Sequence, residues 1–104
     1  MRLFRTAPSE RPLTTMLREM ERGHFVEAWR ALNRDSGDLP APPHALARLG
    51  RVLAERGNYK KATVPLQRFL ATYPNHQDRA VVQRDLAICL QRTGKAKAAA
   101  KLIG

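Results

Sequence analysis

Apolar residues recur along this chain at spacings of three and four, the mark of helices buried along one stripe. Between His44 and Pro74 the pattern runs twice. Leu46, Leu49, Gly50 and Leu53 form one stripe; Tyr59, Ala62, Leu66, Phe69, Leu70 and Tyr73 form the next. Gly57-Asn58 separates them, a break short enough to force a tight antiparallel hairpin. Neither stripe can be covered by one partner helix, so the hairpin needs neighbours. The spacing predicts a central pair of helices at about 43–56 and 59–73. Upstream it predicts helices at about 12–22, burying Leu13, Met16, Leu17 and Met20, and 25–34, burying Phe25, Ala28, Trp29 and Leu32. Downstream it predicts 78–92, with Val82, Leu86, Cys89 and Leu90 inward, and 95–103, with Ala96, Ala99, Leu102 and Ile103. The expectation is six helices and no sheet.

The corner of the hairpin repeats. Gly23-His24-Phe25-Val26-Glu27-Ala28 lies 34 residues before Gly57-Asn58-Tyr59-Lys60-Lys61-Ala62, and Gly94-Lys95-Ala96-Lys97-Ala98-Ala99 lies 37 after it. Each copy has a Gly, a ring or small residue two on, and an Ala three later. The Gly turns the chain without a Cβ clash. The ring fills the corner, and the Ala lets two helices approach.

With these residues the chain resembles the tetratricopeptide repeat family over roughly residues 10–104. The middle unit carries nearly the whole pattern: Leu46, Leu49-Gly50, Leu53, Gly57, Tyr59, Ala62, Leu66, Phe69 and Pro74. The first unit keeps Gly23, Phe25, Ala28, Leu32 and Pro40 but has Met16 in place of the helix glycine. The third keeps Leu86-Ala87, Leu90, Gly94, Ala99 and Ile103, with Ala96 for the ring. The resemblance implies an all-α fold of three stacked antiparallel hairpins in a right-handed superhelix, at about 12–34, 43–73 and 78–103, within one repeat domain at 11–104.

Punctuation refines this picture. Residues 1–10 are basic, contain Pro and Ser, and read as a loosely ordered lead. Pro12 suits the first turn of a helix, where a missing N–H costs nothing. Residues 35–43 form a stiff connector whose three prolines forbid helix before Pro43. Asn58 can cap the following helix. Pro65 removes a hydrogen bond from that helix and should bend it. The array ends without the polar cap helix such folds usually carry, which leaves the last helix available for self-association.

Charge changes the picture more than composition does. The 104 residues carry a net +10, and it is lopsided. Residues 1–43 hold seven Arg against six acids; residues 44–104 hold twelve Lys or Arg against three. The second half should attract acidic partners. The all-Arg first half is also what a GC-rich genome produces. No apolar run approaches the roughly 18 residues of a membrane span, and Met1-Arg2-Leu3-Phe4-Arg5 lacks the core of a secretory signal. The one cysteine, Cys89, lies on an apolar stripe and reads as a small buried hydrophobe. A cytoplasmic location fits this usage.

Candidate chemistry is sparse. His24, His44 and His76 fall in three separate corners or connectors, with no ligand spacing. There is no nucleophile elbow and no phosphate cradle. Neither catalysis nor a metal or cofactor is expected. In the resembled family the first helix of each hairpin lines a concave groove that receives a peptide or a partner's helix. Carried over by position, the third helix would give Ala47, Arg48, Arg51 and Glu55, and the fifth Arg84, Ile88, Gln91 and Arg92. The first would give Leu13 and Leu17. Arg48, Arg51 and Arg84 could grip carboxylates bidentately. The Lys and Asn clamp of the family's chaperone-tail binders is missing, so that ligand class is not supported.

The leading expectation is a non-catalytic module that binds an acidic or C-terminal peptide segment, or a partner subunit, in a basic concave groove. One alternative is binding of nucleic acid or another polyanion by the basic half. Against it, Tyr59, Phe69 and Tyr73 all read as core, which leaves no stacking platform. Another is a soluble cytoplasmic tail of a larger protein, with or without a membrane anchor, suggested by the basic lead and the missing cap helix.

Overall fold

A computed structural model describes residues 11–35 and 40–103. The described residues are all-helical, with no strand. Six helices follow in order: α1 Pro12–Glu21, α2 Phe25–Arg34, α3 Pro43–Glu55, α4 Tyr59–Thr72, α5 Arg79–Arg92 and α6 Ala96–Ile103. Each boundary falls within one residue of the position the sequence predicts. The chain divides into two compact units, Met1–Leu39 and Pro40–Gly104. The expected loosely ordered lead at 1–10 lies outside the described residues.

The three turns are built identically. Gly23, Gly57 and Gly94 have φ of 80°, 83° and 80°, the left-handed region that a Cβ disfavours. Each glycine N–H bonds back to the carbonyl three residues earlier: Met20, Ala54 and Gln91. The next residue's N–H closes on Glu19, Leu53 and Leu90, at 2.8, 2.8 and 2.7 Å. This pair of bonds is a Schellman cap. The carbonyl of that same residue (His24, Asn58 or Lys95) then accepts from the N–H of Ala28, Ala62 or Ala99 and opens the second helix. All three alanines are fully buried. The sequence repeat is thus one physical device used three times: a residue that ends one helix with its N–H and starts the next with its C=O.

The device also explains a departure from expectation. Asn58 occupies the N-cap position, but its side chain makes no capping bond. Side-chain capping needs an extended backbone, and the turn holds Asn58 at ψ 60°.

In the first unit α1 packs on α2. Met16, Met20, Phe25, Ala28 and Leu32 are buried. Leu17, expected inside, is 37% exposed; it stands about 100° round the helix from Met16. Leu13 and Trp29 are half-buried.

In the second unit α3 packs on α4, α4 on α5 and α5 on α6, and α3 also touches α5. Leu46, Leu49, Leu53, Leu66, Phe69 and Val82 are the large fully buried side chains. Pro65 is buried with them, and α4 continues on both sides of it. Helix α5 buries Val82, Leu86, Cys89 and Leu90 as expected, and Ala87 as well, because it has neighbours on several sides; in α6 Ala99 is buried, but Ala96, expected inward, is exposed at the helix start. The connector at 73–78 is tied down by rings. Phe69 meets His76 edge-on at 5.2 Å and Tyr73 at 5.8 Å. The Tyr73 hydroxyl donates to the Ala41 carbonyl at 2.6 Å, so Tyr73 is half-buried at a polar contact rather than enclosed in the core.

Candidate functional site

Helix α3 buries one stripe against α4 and presents another beside it: His44, Ala47, Arg48, Arg51, Ala54 and Glu55. Helix α5 answers with Asp78 at its N-cap, then Val81, Val82, Asp85 and Ile88. These residues line two adjoining cavities between α3 and α5, of about 420 and 240 Å³. The register is regular. His44, Ala47, Arg48, Arg51 and Ala54 each have a counterpart 34 positions on that lines the same cavity. The Gly57 and Gly94 turns are 37 apart. The extra three residues carry the end of α5 past the end of α3. There Arg92 lays its guanidinium over the Tyr59 ring, 5.7 Å from its centroid.

An ion pair crosses the groove. Arg51 Nε stands 3.7 Å from Asp85 Oδ2, with Asp85 half-buried and Arg51 exposed. Both residues line both cavities, so the pair forms the partition between them. On either side the floor is apolar. Val81 is 38% and Ile88 42% exposed, two of the three large apolar side chains that stand exposed among the described residues. They lie seven residues apart on α5, or about 10 Å at 1.5 Å per residue.

Of the residues the sequence singles out, Arg48, Arg51, Glu55 and Ile88 come together here with Ala47. Arg92 closes the end over Tyr59. Arg84 and Gln91 are exposed and line neither cavity. A helix in a row of hairpins has one flank toward the preceding hairpin and one toward the following. Ala47 and Ala54 use the following flank of α3; their equivalents 37 residues on, Arg84 and Gln91, use the corresponding flank of α5. Leu13 and Leu17 belong to the other unit.

Sequence reasoning read Tyr59 as core, whereas it is half-buried and lines the smaller cavity; it also missed Asp78, Val81 and Asp85. Their signal was present, as a run of threes and fours through 78, 81, 85, 88 and 92. They change the electrostatics. Glu55, Asp78 and Asp85 are all the acids of residues 44–104, and all three line the groove. The α3 wall carries Arg48 and Arg51 with Glu55 at its end; the α5 wall carries Asp78 and Asp85. Beneath the α5 wall lies Cys89. Burial, and after it the Asp85 charge, push its thiol up to about 11, so it is not a nucleophile at neutral pH.

Among the described residues no group of three or more His, Cys, Asp or Glu could hold a metal ion. Among them no helix is long and apolar enough to cross a membrane. Comparison with known proteins gives no match to a family model, a curated protein or a solved structure.

Proposed function

We propose that the chain is a non-catalytic, tetratricopeptide-like interaction module of three hairpins, working in the cytoplasm, whose α3–α5 groove receives a segment of a partner protein. The three identical Schellman turns support the repeat assignment, as does the 34-residue register of the groove. The observation that carries the function is the pair of cavities on either side of Arg51–Asp85, each with one exposed aliphatic side chain. Exposed apolar surface organised in this way favours docking.

The occupant is an amphipathic segment with two apolar side chains about 10 Å apart. That spacing is two turns of a helix or three residues of extended chain. Charge complementarity sets the rest. A carboxylate on the segment meets the Arg48 side, and a cation meets the Asp78 and Asp85 side. A polyacidic segment would face three carboxylates, so a mixed-charge segment fits better than a purely acidic one.

The test is selection from a displayed random-peptide library, with affinities read by fluorescence anisotropy. Selected peptides should carry two apolar residues at this spacing. Val81→Glu with Ile88→Glu should weaken them at least tenfold without loss of helicity, since both positions are exposed. Selection of only polyanionic peptides, indifferent to that double change, would contradict the reading.

A further inference from the structure

Because the groove gathers every acid of residues 44–104, the rest of that unit is left with cations alone. Twelve Lys and Arg lie in this stretch; Arg48 and Arg51 line the groove and Arg92 closes its end, so nine cations stand clear of it. The twelve are not spread evenly. Arg56 ends α3, Lys60 and Lys61 begin α4, Arg92 ends α5, and Lys95 and Lys97 flank the start of α6. The Arg92–Tyr59 contact brings the Gly57 and Gly94 turns side by side. Six cations therefore gather at one end of the hairpins. The acid at this end, Glu55, lines the groove.

Helix electrostatics runs against the lysines of this cluster. Lys60 and Lys61 lie in the first turn of α4 and Lys97 in that of α6, where neither helix has an acid. The positive end of a helix favours anions and disfavours cations. Lys60 and Lys97 therefore oppose helix stability, and Lys60, Lys95 and Lys97 are exposed.

We infer that this end is a second interaction surface, independent of the groove, that binds the phosphate backbone of a nucleic acid duplex. Charge complementarity identifies the partner. A duplex offers closely spaced phosphates that six cations at four helix ends can meet, and such contacts need no base stacking. The arrangement differs from that of a bilayer-adsorbing segment, which pairs cations with an apolar or aromatic face along one helix. The large exposed apolar residues of this unit, Val81 and Ile88, lie in the groove instead.

The experiment measures binding of the full chain to a labelled 20-base-pair duplex by anisotropy, from 50 to 200 mM salt. Phosphatidylserine vesicles form a parallel arm. Duplex affinity should fall linearly on a log–log salt plot. Lys60→Gln, Lys95→Gln and Lys97→Gln together should reduce the slope by about 2–3, at roughly 0.9 for each phosphate that is no longer neutralised. They should weaken binding at least tenfold, while Val81→Ala with Ile88→Ala leaves it unchanged. Three results would overturn the inference: no duplex binding at 50 mM salt, an unchanged slope in the lysine variant, or binding to vesicles but not to duplex.

Discussion

Gly50 lets α3 and α4 approach. A Cβ there would overlap the Leu66 side chain, which is fully buried and has no room to retreat. In an exposed helix Gly→Ala gains about 1 kcal/mol. Here overpacking costs typically about 1–3 kcal/mol, so Gly50→Ala should lower the urea midpoint. The Tyr73 hydroxyl gives a second test at this scale. Tyr73→Phe removes the bond to Ala41 and should cost about 1 kcal/mol, read by the same titration. The third is electrostatic. Glu19 Oε1 sits 2.9 Å from His24 Nδ1. That hydrogen bond, with the charges of Arg22, His24 and Arg18, holds the Glu19 carboxyl below its ordinary 4.5. Folding therefore favours the carboxylate. Its contribution is present above 4.5 and is lost as pH falls through the lower folded value. Acid titration of thermal stability should show this loss in the native chain and a smaller one in Glu19→Gln.

At the scale of the helices, two alanines with the same side chain face opposite surroundings. Ala62 is fully buried at the hairpin corner, while Ala47 lines the groove. Ala62→Leu should cost about 1–3 kcal/mol and Ala47→Leu much less; equal denaturation midpoints would contradict the packing. This scale is where the sequence is most legible. Helix ends are written in Gly23, Gly57 and Gly94, because the Schellman cap demands a residue that tolerates positive φ. Core positions of the central hairpin are written in its spacing. Leu17 and Trp29 are less legible, since a wide apolar stripe on a short helix does not say which edge is covered. The groove is half legible. Its α3 wall follows from the resembled family's groove positions carried over onto the helix. Its α5 wall depends on which flank of α5 meets α3, and aligning the turns selects Arg84 and Gln91 on the other flank. Asp85 becomes visible as a site residue only once Arg51 is seen beside it.

At the scale of the whole molecule, net charge hides an internal division. A +10 chain suggests a uniformly basic surface. In the unit Pro40–Gly104 the acids instead converge on one groove with mixed charge and exposed aliphatic side chains, and the turns at one end carry a cluster of cations. Two surfaces of opposite character suit two different partners. The central claim is that the α3–α5 groove is where a protein segment docks. The most direct measurement is a backbone amide NMR titration of the chain with a library-selected peptide. The account predicts the largest shifts at Ala47, Arg51, Val81, Asp85 and Ile88, with Lys60, Lys95 and Lys97 little affected. Shifts centred on those lysines, with the groove residues unmoved, would contradict it.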